Sequence, residues 1–323
     1  MNWQPTMDWE TAKQRSALIA KIRDFFYERE VVEVETPLMS LNTVTDVHMD
    51  VFTTSYEHGN LDLQNKELFL QTSPEYAMKR LLASGYGSIY QIAKAFRNEP
   101  HGRHHNPEFT MLEWYRVGFD HHDLIDEVAE LLTAVLSVKE FEKVTYQNIF
   151  KRVVSIDPLL ADIEQLKQCL KSNDIQGDWI NSEKNKDILL QVIFSEVIEP
   201  VIGRSMPIFV YDFPSSQASL AKISEDDERV ANRFECYYKG IELANGFNEL
   251  VSASEQLHRF QEDNHLRKHL NKDTREIDHR FISGLEYGLP QCAGVALGVD
   301  RLVMLALNMM EIKNSLTFNI ENA

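Results

Sequence analysis

The sequence predicts an α+β chain built on antiparallel sheet with helices flanking it. Ile89 to Phe96 and Phe109 to Arg116 read as two strands on either side of a short basic loop. Arg233 to Leu250 reads as a second hairpin, turning at Lys239-Gly240, and amphipathic helical patterns precede and follow these strands. The chain has 323 residues with 43% hydrophobic content, enough for a full core. One large domain over residues 1–323 is expected, with a mainly helical insertion at about 139–203.

From Thr11 to Glu30, Leu18, Ile22, Phe25 and Phe26 recur at helical spacing. Val31 to Leu38 alternates as a strand that Pro37 ends near an edge. Leu68 to Thr72 is a strand, and Ser73-Pro74-Glu75 opens a helix over Tyr76 to Ala83 with proline in its first turn. Asp120 caps a helix whose core stripe is Leu124, Ile125, Val128, Leu131, Leu132 and Val135. Helical patterns around Ile163 to Leu170 and Ile188 to Ile198 fill the insertion, and Pro207 to Phe213 returns to strand. Gln256 to Leu270 is a polar helix. Gly294 to Val299 is an apolar strand, after which Asp300 caps a helix running through Leu302, Leu305 and Met309.

The formal net charge is −17, with acidic residues spread along the chain, so no long basic surface faces a polynucleotide. Docking of a basic partner remains compatible with it. Cys169, Cys236 and Cys292 lie far apart with no Cys-x-x-Cys pairing, which suggests reduced thiols without a disulfide framework or zinc site. Met1-Asn2-Trp3-Gln4-Pro5 carries no basic apolar leader, and no apolar run approaches membrane-spanning length. A soluble cytoplasmic protein is expected.

The densest signal is Phe96-Arg97-Asn98-Glu99, the loop His101-Gly102-Arg103-His104-His105, then Asn106-Pro107-Glu108-Phe109-Thr110-Met111-Leu112-Glu113-Trp114-Tyr115. Alternation puts Phe109, Met111, Glu113 and Tyr115 on one face and Thr110, Leu112, Trp114 and Arg116 on the other. Phe109 and Glu113 are then roughly 13 Å apart, enough for a base at one end and a small substrate at the other. Arg97 offers a planar donor fork suited to a phosphate oxygen. Alone, Arg97 or Glu99 reads as a surface ion pair; the whole string favours a site. The histidines read as a phosphate-facing loop rather than a metal site, since no further ligand has matching spacing. In the second hairpin Tyr237 faces Glu242, with Glu235 diagonally across on the same face. Taken alone, that hairpin is as well explained as an acidic surface. Asn245, Phe247 and Glu249 share a parity that Glu242 lacks, so a bulge near Ala244 or Gly246 is required if all four line one face.

The Arg97 string resembles motif 2 of the class II aminoacyl-tRNA synthetases, in the form used by their lysyl branch. The first helix, strand and Pro37 resemble motif 1, which builds a homodimer interface in that family, and Gly298 with Arg301 resembles motif 3. The resemblance implies a class II catalytic domain forming an acyl-adenylate from ATP. It assigns Arg97 to the α-phosphate and the substrate carboxylate, and Glu99, His105, Asn106, Glu242 and Leu243 to the nucleotide. Adenine lies between Phe109 and Arg301, with Gly298 letting the ring approach; Arg97 and Arg301 are the catalytic pair. Glu235 and Glu242 match magnesium ligands. Ser73, Pro74 and Glu75 go to the α-amine, Tyr115 and Glu249 to a side-chain ammonium, Glu113 in support, with Asn245 and Phe247 lining the pocket.

Two departures from ordinary lysyl enzymes are expected to matter. The first helix begins near residue 11, leaving no room for an anticodon-binding domain before it. Ala296 stands where those enzymes carry glycine, and one added methyl group discriminates between similar substrates by about 1–3 kcal/mol. These features, with Glu-Leu-Ala-Asn-Gly-Phe at 242–247 and Gly-Val-Ala-Leu-Gly-Val-Asp-Arg at 294–301, resemble the truncated lysyl-synthetase paralogues that modify elongation factor P. That family activates (R)-β-lysine and joins it to a lysine of the factor, without stable tRNA binding or membrane association. The alternatives are a stand-alone enzyme charging or modifying tRNA, and a catalytically silent ATP-binding paralogue.

Overall fold

The structure, a computed structural model, describes residues 3–58 and 66–323; Met1 and Asn2 of the N-terminal segment read above lie outside the described residues. In chain order the elements are α1 (Trp9–Tyr27), β1 (Val32–Glu33), β2 (Met39–Ser40), β3 (Thr53–Tyr56), β4 (Lys66–Leu70), α2 (Glu75–Ala83), β5 (Ile89–Phe96), β6 (Glu108–Val117) and α3 (His121–Leu136). Then come β7 (Glu142–Thr145), α4 (Tyr146–Val154), α5 (Ile163–Ser172), α6 (Asp178–Ser182), α7 (Lys186–Ile193), β8 (Ile208–Pro214), β9 (Val230–Tyr238) and β10 (Ile241–Asn248). The chain closes with α8 (Ala253–His269), α9 (His279–Gly288), β11 (Cys292–Gly298) and α10 (Val299–Ala306). By contacts it forms two compact units, residues 1–118, 251–292 and 296–323 in the first, 119–250 and 293–295 in the second. Among the described residues no helix is long and apolar enough to cross a membrane.

In the first unit the strand order is β1-β5-β6-β11, beside a smaller sheet ordered β2-β4-β3. β5 and β6 pair antiparallel from Ile89↔Tyr115 to Phe96↔Glu108, and β1 joins β5 in parallel. The expected strand over 31–38 is cut to two residues, since only the amides of Val32 and Val34 reach β5, on Ser88 O and Tyr90 O, before the chain leaves. Helix α1 covers the Thr110, Leu112, Trp114 and Arg116 face of β6. Phe26 is fully buried, stacks on Tyr90 at 4.4 Å and meets Trp114 edge-on at 5.3 Å. Such ring pairs add about 0.5–1.5 kcal/mol beyond the area they bury.

Asp300 does a different job from the one its position suggests. Gly298 occupies the N-cap of α10, and the Asp300 carboxylate accepts the Thr110 amide at 2.6 Å and pairs with Arg15 at 2.7 Å. It therefore ties α10 to β6 and α1 instead of capping its own helix. The helix ends at Ala306, before Met309. Pro74 likewise stands at the N-cap of α2, one place earlier than the first turn.

In the second unit β10-β9-β8-β7 form the sheet, antiparallel but for the edge strand β7, which joins β8 in parallel. Asp120 and Asp123 form a reciprocal capping box on α3, whose expected stripe is buried throughout. The β9–β10 turn is Lys239-Gly240, with φ of 54° and 72°. Two successive left-handed residues make the tight turn whose twist suits a hairpin. Helices α4, α5 and α7 pack an apolar cluster that includes Tyr146, Phe150, Leu170 and Phe194 against Ile208, Val210 and Phe213 of β8.

Asp300→Ala is expected to lower stability by about 3–5 kcal/mol in urea unfolding, because it strands the Arg15 charge and orphans the Thr110 amide. Arg15→Met with Asp300→Asn should recover most of that loss.

Candidate functional site

The loop between β5 and β6 closes through a bridge of Gly102 with His105, and the Arg97 amide bonds Pro107 O at 2.9 Å. This returns the chain so that the Arg97 guanidinium lies 5.3 Å from the centroid of the Phe109 ring. Its Nε is buried and has no hydrogen-bond partner among the described residues. A buried, unpaired guanidinium nitrogen is costly, and an anionic oxygen is the partner it suits. Arg301 bonds the same loop, its Nε to His104 O at 3.2 Å and its terminal nitrogen to His105 Nε2 at 2.8 Å. Gly298 leaves 3.6 Å between a hypothetical Cβ and the Arg301 side chain. His101 meets Glu321 at 3.2 Å, and His104 is shifted below the usual histidine range by burial, then by Arg103, Arg301 and His105. The Asn106 side chain donates to Glu108 O at 2.6 Å and accepts the Ile320 amide at 3.1 Å. Glu99 is half-buried at the strand end.

Farther along β6, alternation places Glu113 and Tyr115 together, the Tyr115 hydroxyl donating to Glu113 at 2.6 Å. Ser73 links them to α2: its hydroxyl donates to Glu113 at 2.7 Å and accepts the Glu75 amide at 3.0 Å. Glu75 in turn holds the Lys79 ammonium at 2.6 Å. Glu113 is wholly buried and pushed up to about 7, by desolvation first and by the Glu75 charge second, against the pull of Tyr115, Ser73 and Lys79. Two carboxylates and one ammonium thus sit together, Glu113 and Lys79 buried and Glu75 partly exposed. Ala296 is half-buried on β11.

In the second unit the register slips between Glu242 and Ala244, a bulge of the kind the sequence pattern required. Glu242 then faces Tyr237, Asn245 faces Glu235, and Phe247 faces Arg233, so all six share one face. Leu243 is the extra residue and is buried. Arg233 reaches Asn245 Oδ1 at 3.3 Å, Gln217 O at 2.7 Å and the Glu235 carboxylate, which also accepts from Tyr237. Glu235 is raised above the usual carboxylate range by burial, while Arg233 opposes and Glu242 reinforces the shift. Gly246 is obligatory here: a Cβ would stand 2.4 Å from the Phe234 ring and 3.0 Å from Gly294 O. Glu249 is buried beyond β10, bridged to Ala221. Among the described residues no group of three or more His, Cys, Asp or Glu side chains is arranged to hold a metal ion.

Sequence reasoning passed over Lys79, Arg233 and a set of cations around residues 44–50. Arg275 donates to Val44 O and Met49 O at 2.6 Å each, Arg267 to Asp46 O at 3.0 Å and Lys272 to Val47 O at 2.8 Å. Asp50 O then accepts the Asn98 amide at 3.0 Å, one residue from Arg97. The Glu75/Lys79 pair was open to detection as an i, i+4 pair with the acid first.

A family profile described as tRNA synthetases class II (D, K and N) matches residues 5–322. A Vibrio parahaemolyticus protein is 53% identical over 317 residues, spanning 98% of each chain. One from Histophilus somni is 53% identical over 321 residues, 99% of this chain and 98% of its own. One from Haemophilus influenzae is 50% identical over 322 residues, all of this chain and 98% of its own. All three are named elongation factor P–(R)-β-lysine ligase.

The Glu113 shift has a definite sign. Below about pH 4.5 the group is protonated folded and unfolded; as pH rises toward 7 only the unfolded chain ionises, so the folded state loses stability. Glu113→Gln should abolish that loss, on the order of 3 kcal/mol, read from urea midpoints across this pH range.

Proposed function

Because the chain belongs to the class II (D, K and N) tRNA-synthetase family and matches the elongation factor P ligases end to end, we propose that it activates (R)-β-lysine with ATP and transfers it to a lysine of elongation factor P. The full-length match to the named ligases carries this reading. The unpaired Arg97 nitrogen beside Phe109 agrees with it, being a donor awaiting a phosphate.

In the first step the β-lysine carboxylate attacks the α-phosphorus and pyrophosphate departs, giving an acyl-adenylate. Arg97 orients the α-phosphate and the incoming carboxylate, and offsets the charge that builds on phosphorus-bound oxygen. Phe109 and Arg301 hold the adenine ring between them over Gly298. Glu99, His105, Asn106, Glu242 and Leu243 complete the nucleotide contacts; for Asn106 these come from groups other than its side chain, which is bonded within the protein. In the second step the lysine Nζ of the factor attacks the acyl carbon, its proton leaves, AMP is expelled and an amide forms.

Glu235 and Glu242 are assigned the magnesium ion that accompanies the triphosphate. Their fit rests on the chemistry of the donors, two carboxylates on one face of the hairpin. The ion would neutralise charge on the departing pyrophosphate. Ser73, Pro74 and Glu75 are assigned the amine nearer the carboxyl group, Tyr115 and Glu249 the side-chain ammonium with Glu113 in support, and Asn245 and Phe247 line the pocket. Ala296 narrows the pocket against α-lysine. The same reading carries a homodimer built on α1 and β1, no stable tRNA complex, and residence in the cytoplasm.

Incubating the protein with ATP, magnesium, (R)-β-lysine and elongation factor P should raise the factor's mass by one lysyl residue. An unmodified factor refutes the proposal. Arg97→Ala should reduce pyrophosphate exchange by about 10²–10³. Ala296→Gly should improve use of α-lysine by about tenfold or more, read as kcat/KM for exchange; no gain rejects the selectivity account.

A further inference from the structure

Lys79 stands outside every role assigned above, yet it is the ammonium at the centre of the acidic end of the first unit. Its side chain is 1% exposed, while that of Glu75 is 16% exposed. The pair is spaced i, i+4 on α2, acid first, which is the favourable order for a helix. Ser73 joins the same group to Glu113, its hydroxyl donating to the Glu113 carboxylate and accepting the Glu75 amide. An uncompensated second carboxylate in this interior would be expensive. With Lys79 present, one of the two negative charges is balanced from within the protein.

We propose that Lys79 is a positioning residue that sets the charge of the amine-binding end, leaving a single negative charge there to be met by one ammonium group of the substrate. The identity of that substrate rests on the ligase reading above; the charge balance does not. Without Lys79, Glu75 and Glu113 would compete for ionisation, and one would keep its proton until higher pH. The groups facing Glu113 from α2 and its approach are Glu75, Lys79 and Ser73, and from β6 Tyr115. From β5 the partner across the ladder is the neutral Gln91. Helix α9 meets α2 through Phe281, stacked on Tyr76, and through Gly284, beside Arg80.

The experiment is ATP–pyrophosphate exchange against pH, with (R)-β-lysine and ATP varied separately. Lys79→Met should raise KM for β-lysine about tenfold with KM for ATP little changed, and move the acidic limb of kcat/KM for β-lysine upward by about one pH unit. Lys79→Arg, keeping the charge, should leave the limb in place. If Lys79→Met does not fold, Glu75→Gln with Lys79→Met decides, since removing both charges should return the limb to its wild-type position whatever happens to KM. A limb unmoved in Lys79→Met, moved equally in Lys79→Arg, or displaced in the double variant overturns the proposal. Wild-type protein that exchanges no pyrophosphate with β-lysine would instead refute the ligase reading.

Discussion

One antiparallel ladder sets the chemistry of the first unit: β5 against β6, in register from Ile89↔Tyr115 to Phe96↔Glu108. With this register Glu113 accepts from both Tyr115 and Ser73, and Thr110 presents its amide to Asp300. A slip by one residue would exchange the two faces, sending Trp114 where Glu113 belongs. The buried Asp300 carboxylate resists such a slip, because it accepts from one particular amide and pairs with one particular arginine of α1. The apolar side of the ladder is held independently by Phe26 on Tyr90 and Trp114.

Burying acids has a thermodynamic cost that the surroundings partly offset. Glu113 keeps two hydroxyl donors, from Ser73 and Tyr115, and Glu75 keeps Lys79. In the second unit Arg233 performs the corresponding service for Glu235, with each of its three guanidinium nitrogens donating a hydrogen bond. Both devices use a cation from the protein itself beside each acidic cluster. Neither cluster carries its full negative charge unbalanced.

Much of this was legible beforehand because it is local. Strand alternation located β5 and β6, the Lys239-Gly240 turn fixed the second hairpin, and a mismatch of parity between Glu242 and Asn245 required the bulge that occurs between Glu242 and Ala244. What escaped was non-local. Asp300 looked like a cap, and only the fold brings Thr110 and Arg15 to it. The strand after α1 shrank because its pairing with β5 ends at Glu33↔Tyr90, while β5 itself runs on to Phe96. Arg233 reads in sequence as one more polar residue of a strand, and its partners Gln217 and Asn245 come from elsewhere in the chain. The roles assigned by resemblance rest on motif strings, which speak to family and say little about which side chains already have partners, as Asn106 illustrates.

The segment 44–50 is gripped by its own peptide carbonyls: Val44, Asp46, Val47 and Met49 each receive a cation from the stretch between Arg267 and Arg275. Peptide oxygens are the same whatever residue bears them. The course of this segment, and with it the anchoring of Asn98, is therefore insulated from mutation of the outward-facing His48, whereas Asp46 accepts the His48 amide at 2.7 Å and Asp50 pairs with Lys272 at 3.6 Å. Divergence at position 48 can proceed without disturbing the neighbouring strand end, leaving that point of the rim free to vary while its foundation stays constant.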